Sequence, residues 1–95
     1  MAYKVIYQPN AKEDILATLE FYDKRKSGLS DASLDALYEA EDKLAISPQL
    51  FGFIDEEPLL RFTKLNKFQF ILIFEIVGET VYVYSVRHTS RDSFI

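Results

Sequence analysis

The chain reads as an α+β two-layer domain, a helical hairpin packed on a small, mainly antiparallel sheet, in the order β-α-α-β-β-β. Three observations predict this. Apolar residues recur at helical spacing from residue 11 to residue 45. From Leu59 onward the period changes to two. A lone β-branched and aromatic run, Tyr3-Lys4-Val5-Ile6-Tyr7, precedes both helices. It has no strand next to it in sequence, so it must rejoin the sheet made at the far end of the chain. The 95 residues therefore form a single domain, 1–95.

The first strand stops at Pro9. Asn10 is the expected N-cap of the first helix, with Glu13 completing a capping box. Ile15, Leu16, Leu19 and Tyr22 extend that helix from about Ala11 to Lys26, and Gly28 is a stop signal. Ser30 or Asp31 is placed to cap a second helix, whose apolar stripe is Leu34, Leu37, Tyr38, Leu44 and Ala45. The short link between the helices predicts an antiparallel pair. Residues Pro48 to Pro58 read as a connecting loop with an acidic cluster, Asp55-Glu56-Glu57.

Leu60 and Phe62 alternate with Arg61 and Thr63 in the second strand, and Asn66-Lys67 fits a tight turn. In the third strand Phe68, Phe70, Leu72, Phe74 and Ile76 share one face. The other face carries Gln69, Ile71, Ile73, Glu75 and Val77. A strand apolar on both sides belongs in the middle of a sheet. Val77-Gly78-Glu79-Thr80 is a two-residue hairpin turn. Strict alternation in the last strand puts Val81, Val83, Ser85 and Arg87 on one face, and Tyr82, Tyr84, Val86 and His88 on the other.

Composition narrows the chemistry. Apolar residues are 48% of the chain, which is globular. With no Cys there is no disulfide, thiolate zinc site or cysteine nucleophile, and one His is too few for a histidine metal site. No metal or cofactor is expected. Apolar runs are short and the start lacks a signal-peptide pattern, so the expectation is a cytoplasmic protein without a membrane span.

The chain resembles the RelE/ParE superfamily of bacterial type II toxins. Tyr7, Ala11, Asp14-Ile15 and Leu19-Glu20-Phe21-Tyr22 look like the family's opening strand and first helix. Leu44 and Ser47-Pro48-Gln49-Leu50 resemble its exit from the second helix, and Leu60-Arg61-Phe62 its arginine-bearing strand. The strongest likeness is the run from Val81 to Asp92, a β-branched strand leading into His88-Thr89-Ser90-Arg91-Asp92. The resemblance implies a growth-inhibiting toxin of the plasmid-stabilisation type, held inactive by a cognate antitoxin. It leaves three readings, two of them set by the target and the third a non-toxic relative that keeps only the antitoxin interface. RelE-like members cut mRNA in the ribosome; ParE-like members inhibit DNA gyrase.

Metal-free RNA cleavage requires an activated 2′-hydroxyl, a stabilised phosphorane and a protonated leaving oxygen. Arg61 and Arg91 match family arginine positions and can fork onto phosphate oxygens. Arg87 lies at the same strand end, and His88 is the candidate acid or base. Each has a structural alternative. Arg61 can pair with Glu75 or Asp55, Arg91 with Asp92, and His88 can be a hydrogen-bonded strand-end residue. In place of the terminal tyrosine of RelE-like enzymes stand Ser93-Phe94-Ile95, and past residue 43 the only lysines are Lys64 and Lys67. Both departures favour the ParE-like branch.

Tyr82 and Tyr84 are expected to pack on the helices or a sheet edge, or to stack on a base or a partner. The sheet face turned away from the helices is expected to carry either Ile71, Ile73 and Val77 or the set Phe68, Phe70, Leu72, Phe74 and Ile76, and either choice exposes a larger apolar area than a small monomer usually shows. Together with Tyr82, Tyr84 and Phe94, Ile71 and Ile73 are the candidate partner-binding residues. An antitoxin segment or a second copy of the chain would cover them. The net charge of −4 divides unevenly. Residues 1–60 carry 6 basic and 12 acidic side chains, net −6; residues 61–95 carry 5 and 3, net +2. The acidity belongs to the helices, and an anionic partner at the sheet stays compatible with the charge.

Overall fold

A computed structural model describes residues 2–54, 57–65 and 67–88, with backbone alone at 57, 58 and 88. The elements are β1 (Lys4–Tyr7), α1 (Pro9–Arg25), α2 (Leu29–Ile46), a 3₁₀ turn (Pro48–Leu50), β2 (Phe53–Ile54), β3 (Glu57–Lys64), β4 (Phe70–Val77) and β5 (Thr80–His88). The sheet order is β1-β5-β4-β3-β2. As its position in the sequence requires, β1 joins the last strand, parallel to it, with Val5 beside Val81 and Tyr7 beside Val83. The other pairings are antiparallel. The strand apolar on both faces, β4, is central. The short β2 is an addition to the expected order; it forms inside the expected loop because Phe53 lies opposite Arg61 on β3.

Both helix starts differ from expectation. α1 begins at Pro9, with Gln8 rather than Asn10 as N-cap and no side-chain cap. Proline has no N–H to lose at the first helical position and its φ is already helical, so it sets the start. The Lys12 N–H donates to the Gln8 carbonyl at 3.1 Å. α2 begins at Leu29, and Gly28 is its N-cap in the left-handed region, φ 92°. The Ser30 hydroxyl donates to Asp23 Oδ1 at 3.3 Å instead of capping the helix. Asp31 lies in the first turn of α2, where the helix dipole favours a carboxylate.

Both helices pack on one face of the sheet. Ala11 and Tyr22 from α1, with Ala36, Leu37, Ala40 and Leu44 from α2, meet Phe70, Leu72, Phe74, Val81, Val83 and Val86. Tyr22 sits edge-on to Phe68 and Phe70, with ring centroids 4.9 and 5.6 Å away. These geometries suit the quadrupoles of the rings and anchor α1 to the start of β4.

Val86 in that core corrects the expected faces of the last strand. Ile73 lies opposite Ser85 but Phe74 lies opposite Val83, so Tyr84 is an extra residue, a β-bulge. The bulge resets the alternation. Val86 joins Val81 and Val83 under the helices, while Ser85 and Arg87 move to the outer face. The register places His88 opposite Phe70, not in line with Tyr82.

Candidate partner-binding face

The outer face of the sheet is assembled by register from four strands. Directly opposed residues share a face. One row is Lys64, Ile71 and Arg87; the next is Phe62, Ile73 and Ser85. A third is Glu75, Tyr82 and Ile6. Ile71, Ile73, Tyr82, Tyr84 and Arg87 are therefore together, as candidates for one surface. Phe62, Ile6 and Lys64 complete it. Alternation along β3 was visible for Phe62; only pairing shows which face it joins.

Ile71 and Ile73 are only 2% and 3% exposed, which corrects the expectation that they stand open. They lie outside the helix-side core cluster and form a small apolar layer of their own. The residues around them that a partner could reach are the half-buried Ile6, Phe62, Tyr82 and Tyr84 and the half-exposed Val77. The Tyr84 hydroxyl donates to Glu75 Oε1 at 2.7 Å. That bond, then desolvation and the Glu75 charge, raises the Tyr84 pKa above its ordinary value. The phenol stays protonated at neutral pH, and its bulged backbone position lets it reach across to β4.

Arg61 lies elsewhere. It is opposite Phe74 and Phe53, on the core side of the sheet near the β2 edge. Its Nη1 donates to the carbonyls of Phe51 at 2.6 Å and Gln49 at 3.1 Å. The guanidinium carbon stands 3.9 Å from the centre of the Phe53 ring. Glu75 lies opposite Tyr82 on the other face of the sheet, which corrects the expected Arg61–Glu75 pair, and the expected pairing with Asp55 lies outside the described residues. A planar, delocalised cation stacks on an aromatic ring while binding helix-exit carbonyls. The structure thus separates Arg61 from Arg87 by the thickness of the sheet. The side chain of His88, and Arg91 and Phe94 altogether, lie outside the described residues, as do Asp55 and Asn66 of the predicted loop and turn.

Two side chains hold the strand end in place. β1 ends at Tyr7, and Gln8 N–H still donates to the Val83 carbonyl at 2.9 Å. Beyond it, among the described residues, β5 has no strand on that side. The Val86 N–H instead donates to Asp14 Oδ2 of α1 at 2.9 Å. Sequence reasoning gave Asp14 no such role, since the partners are 72 positions apart. At the other side of the helical layer the Tyr7 hydroxyl donates to Glu41 Oε1 at 2.9 Å. Burial first, then the Glu41 bond and charge, pushes the Tyr7 pKa well up.

Among the described residues no group of three or more His, Cys, Asp or Glu is placed to hold a metal ion. No helix among them is long and apolar enough to cross a membrane. The face presents aromatic and aliphatic surface edged by Lys64 and Arg87, an arrangement suited to binding a polypeptide.

Neither a protein-family model nor a curated protein sequence matches the chain. A solved structure does, titled "Chromosomal ParDE TA system from P. aeruginosa". The TM-score is 0.80 at 17% identity, over 93% of this chain and 97% of that one. The two chains share their fold, and the α+β architecture read from the sequence is that fold.

Proposed function

We propose that this protein is the toxin of a type II toxin–antitoxin system, neutralised by a cognate antitoxin laid on the outer sheet face, and that it acts in the ParE-like way by inhibiting a protein target such as DNA gyrase. The observation that carries the reading is the end-to-end fold likeness to a chain of a ParDE toxin–antitoxin system. The outer face supports it, because neither helix covers the aromatic and aliphatic side chains there. Cover from an antitoxin is the simplest use for such a face in a small domain; a second copy of the chain is the other.

The arginines bear on the choice of mechanism. A RelE-like nuclease would gather Arg61, Arg87, His88 and Arg91 around one phosphate. Arg61 is occupied with the carbonyls of Phe51 and Gln49 on the core side of the sheet, while Arg87 belongs to the outer face. That separation favours binding over RNA cleavage. The cytoplasm, where gyrase and the ribosome both work, is the place of action in either case.

The test is induction of the gene in a bacterium with and without its antitoxin, followed by assays on purified protein. Growth should stop without the antitoxin and resume with it. The protein should block gyrase supercoiling and leave translated mRNA intact. Message cleaved in the ribosome would replace the gyrase reading with the nuclease one. Unimpaired growth at high expression would remove both.

A further inference from the structure

We propose that a cationic band around one end of the molecule, formed by Arg25, Lys64, Lys67 and Arg87, binds the phosphate backbone of duplex DNA. The proposal goes beyond the antitoxin reading and does not depend on it. Packing contacts bring the four residues to the same end. Tyr22 of α1 packs on Phe68 and Phe70, and its hydroxyl accepts the Gln69 N–H at 3.4 Å. The end of α1 therefore rests beside the turn between β3 and β4. Arg25, one turn past Tyr22, holds its guanidinium carbon 4.4 Å from the centre of the Phe21 ring, and Phe21 in turn meets Phe70. Lys67 stands in the turn itself. Lys64 and Arg87 flank Ile71 in one row across the sheet end, two strands and so about 10 Å apart. All four side chains are exposed.

Three observations set this end apart from an ordinary solvated surface. The first is its single sign of charge. From Pro58 to Phe74, and again from Thr80 to Arg91, the chain has no Asp or Glu. The carboxylates of α1 nearest this end, Glu20 and Asp23, line an acidic groove between the helices instead, with Glu13 and Asp31. The second is Lys67, the only non-glycine among the described residues with a positive φ, 68°. Glycine is the default for that backbone, so the turn by itself gives no reason for a lysine. The third is the spread over several elements. The helix dipole accounts for Arg25 in the last turn of α1, but not for the three cations on the sheet. The band also selects its ligand. Phe21, Tyr22, Phe68 and Phe70 pack edge-on against one another, so they are not a platform for the unpaired bases of a single strand. What faces solvent is charge, which suits the regularly spaced phosphates of a duplex and reads no sequence.

The test is fluorescence anisotropy with the full chain and a labelled DNA duplex of about 20 base pairs, begun at about 50 mM salt because the net charge of −4 opposes binding. The dissociation constant should be roughly 10⁻⁴–10⁻⁶ M. The logarithm of affinity should fall with the logarithm of salt at a slope of about −3 to −4, for four phosphates. Arg25→Gln with Lys67→Gln should weaken binding about ten-fold or more and flatten the slope by about two. Lys4→Gln with Lys43→Gln removes the same charge at the opposite end, where Lys4 pairs with Thr80, and should stay within about two-fold of wild type. Lys67→Gly frees the left-handed backbone; it should lose about three-fold or more in affinity with no lower melting temperature, which separates charge from folding. Absence of binding at low salt, or equal weakening by the two double variants, would overturn the proposal. So would binding to RNA, single- or double-stranded, or to polyglutamate as tight as binding to the DNA duplex.

Discussion

Two side chains show how single residues set the strand ends. Arg61 joins the 3₁₀ turn to β3 through the carbonyls of Gln49 and Phe51 and through its stack on Phe53. Arg61→Ala should cost roughly 1.5–3 kcal/mol, the range for hydrogen bonds to a charged group, read as a shift in the urea midpoint. Arg61→Lys should recover only part, because an ammonium is a point donor that does not stack as a guanidinium does. Full recovery by lysine would reject this account. Asp14 does for β5 what a further strand would do, by accepting the Val86 N–H. Asp14→Ala should leave that amide unpaired, at about 1–3 kcal/mol. Hydrogen exchange at Val86 should speed up, with little change at Val81 in the strand's paired half. Both residues could be noticed in the sequence, Arg61 by its strand and Asp14 within the helix-1 pattern. Their partners could not, because backbone groups at a distance carry no residue signature.

At the scale of elements, the β4–β5 hairpin turn was legible and the helix starts were not. Gly78 takes a positive φ of 63° while Glu79 does not, the pattern of a type II′ turn, as the strand periodicity on either side requires. Gly28 was expected to stop the first helix and instead starts the second, at φ 92°. A Cβ there would meet nothing within 4 Å. Gly28→Ala should therefore cost only the left-handed backbone penalty, about 1–2 kcal/mol, seen as a lower melting temperature. The Tyr7–Glu41 bond ties β1 to α2. Tyr7 is held protonated in the folded chain beyond its ordinary range. Its stabilising effect is complete below the unfolded-state pKa of about 10 and is lost as pH rises through the higher folded value. Wild-type stability should thus fall more steeply above about pH 10 than that of Tyr7→Phe. Urea midpoints measured across that range check the sign; parallel curves would mean that Tyr7 titrates normally.

For the whole molecule, the layer architecture creates two opposite surfaces of different character, an aromatic sheet face edged by cations and an acidic groove between helices. Tyr82 sits in the sheet face without entering the helix-side core. On the antitoxin reading proposed above, Tyr82→Asp should weaken antitoxin binding roughly ten-fold or more while leaving the melting temperature little changed, measured by titration calorimetry on purified proteins. Unaltered affinity would move the antitoxin to another surface. The sequence by itself determined the two-layer class, the central place of β4, the return of β1 and the acidity of the helices. Each follows from periodicity, composition or connectivity, which are local or additive properties of the chain. Only the tertiary structure decided which residues share a face. One bulge at Tyr84 transferred Val86 to the core and Ser85 and Arg87 to the outside, and pairing put Arg61 on the side away from Arg87. Strand alternation has a period of two, so a single inserted residue inverts every position beyond it, and that insertion is visible only when two strands are laid side by side.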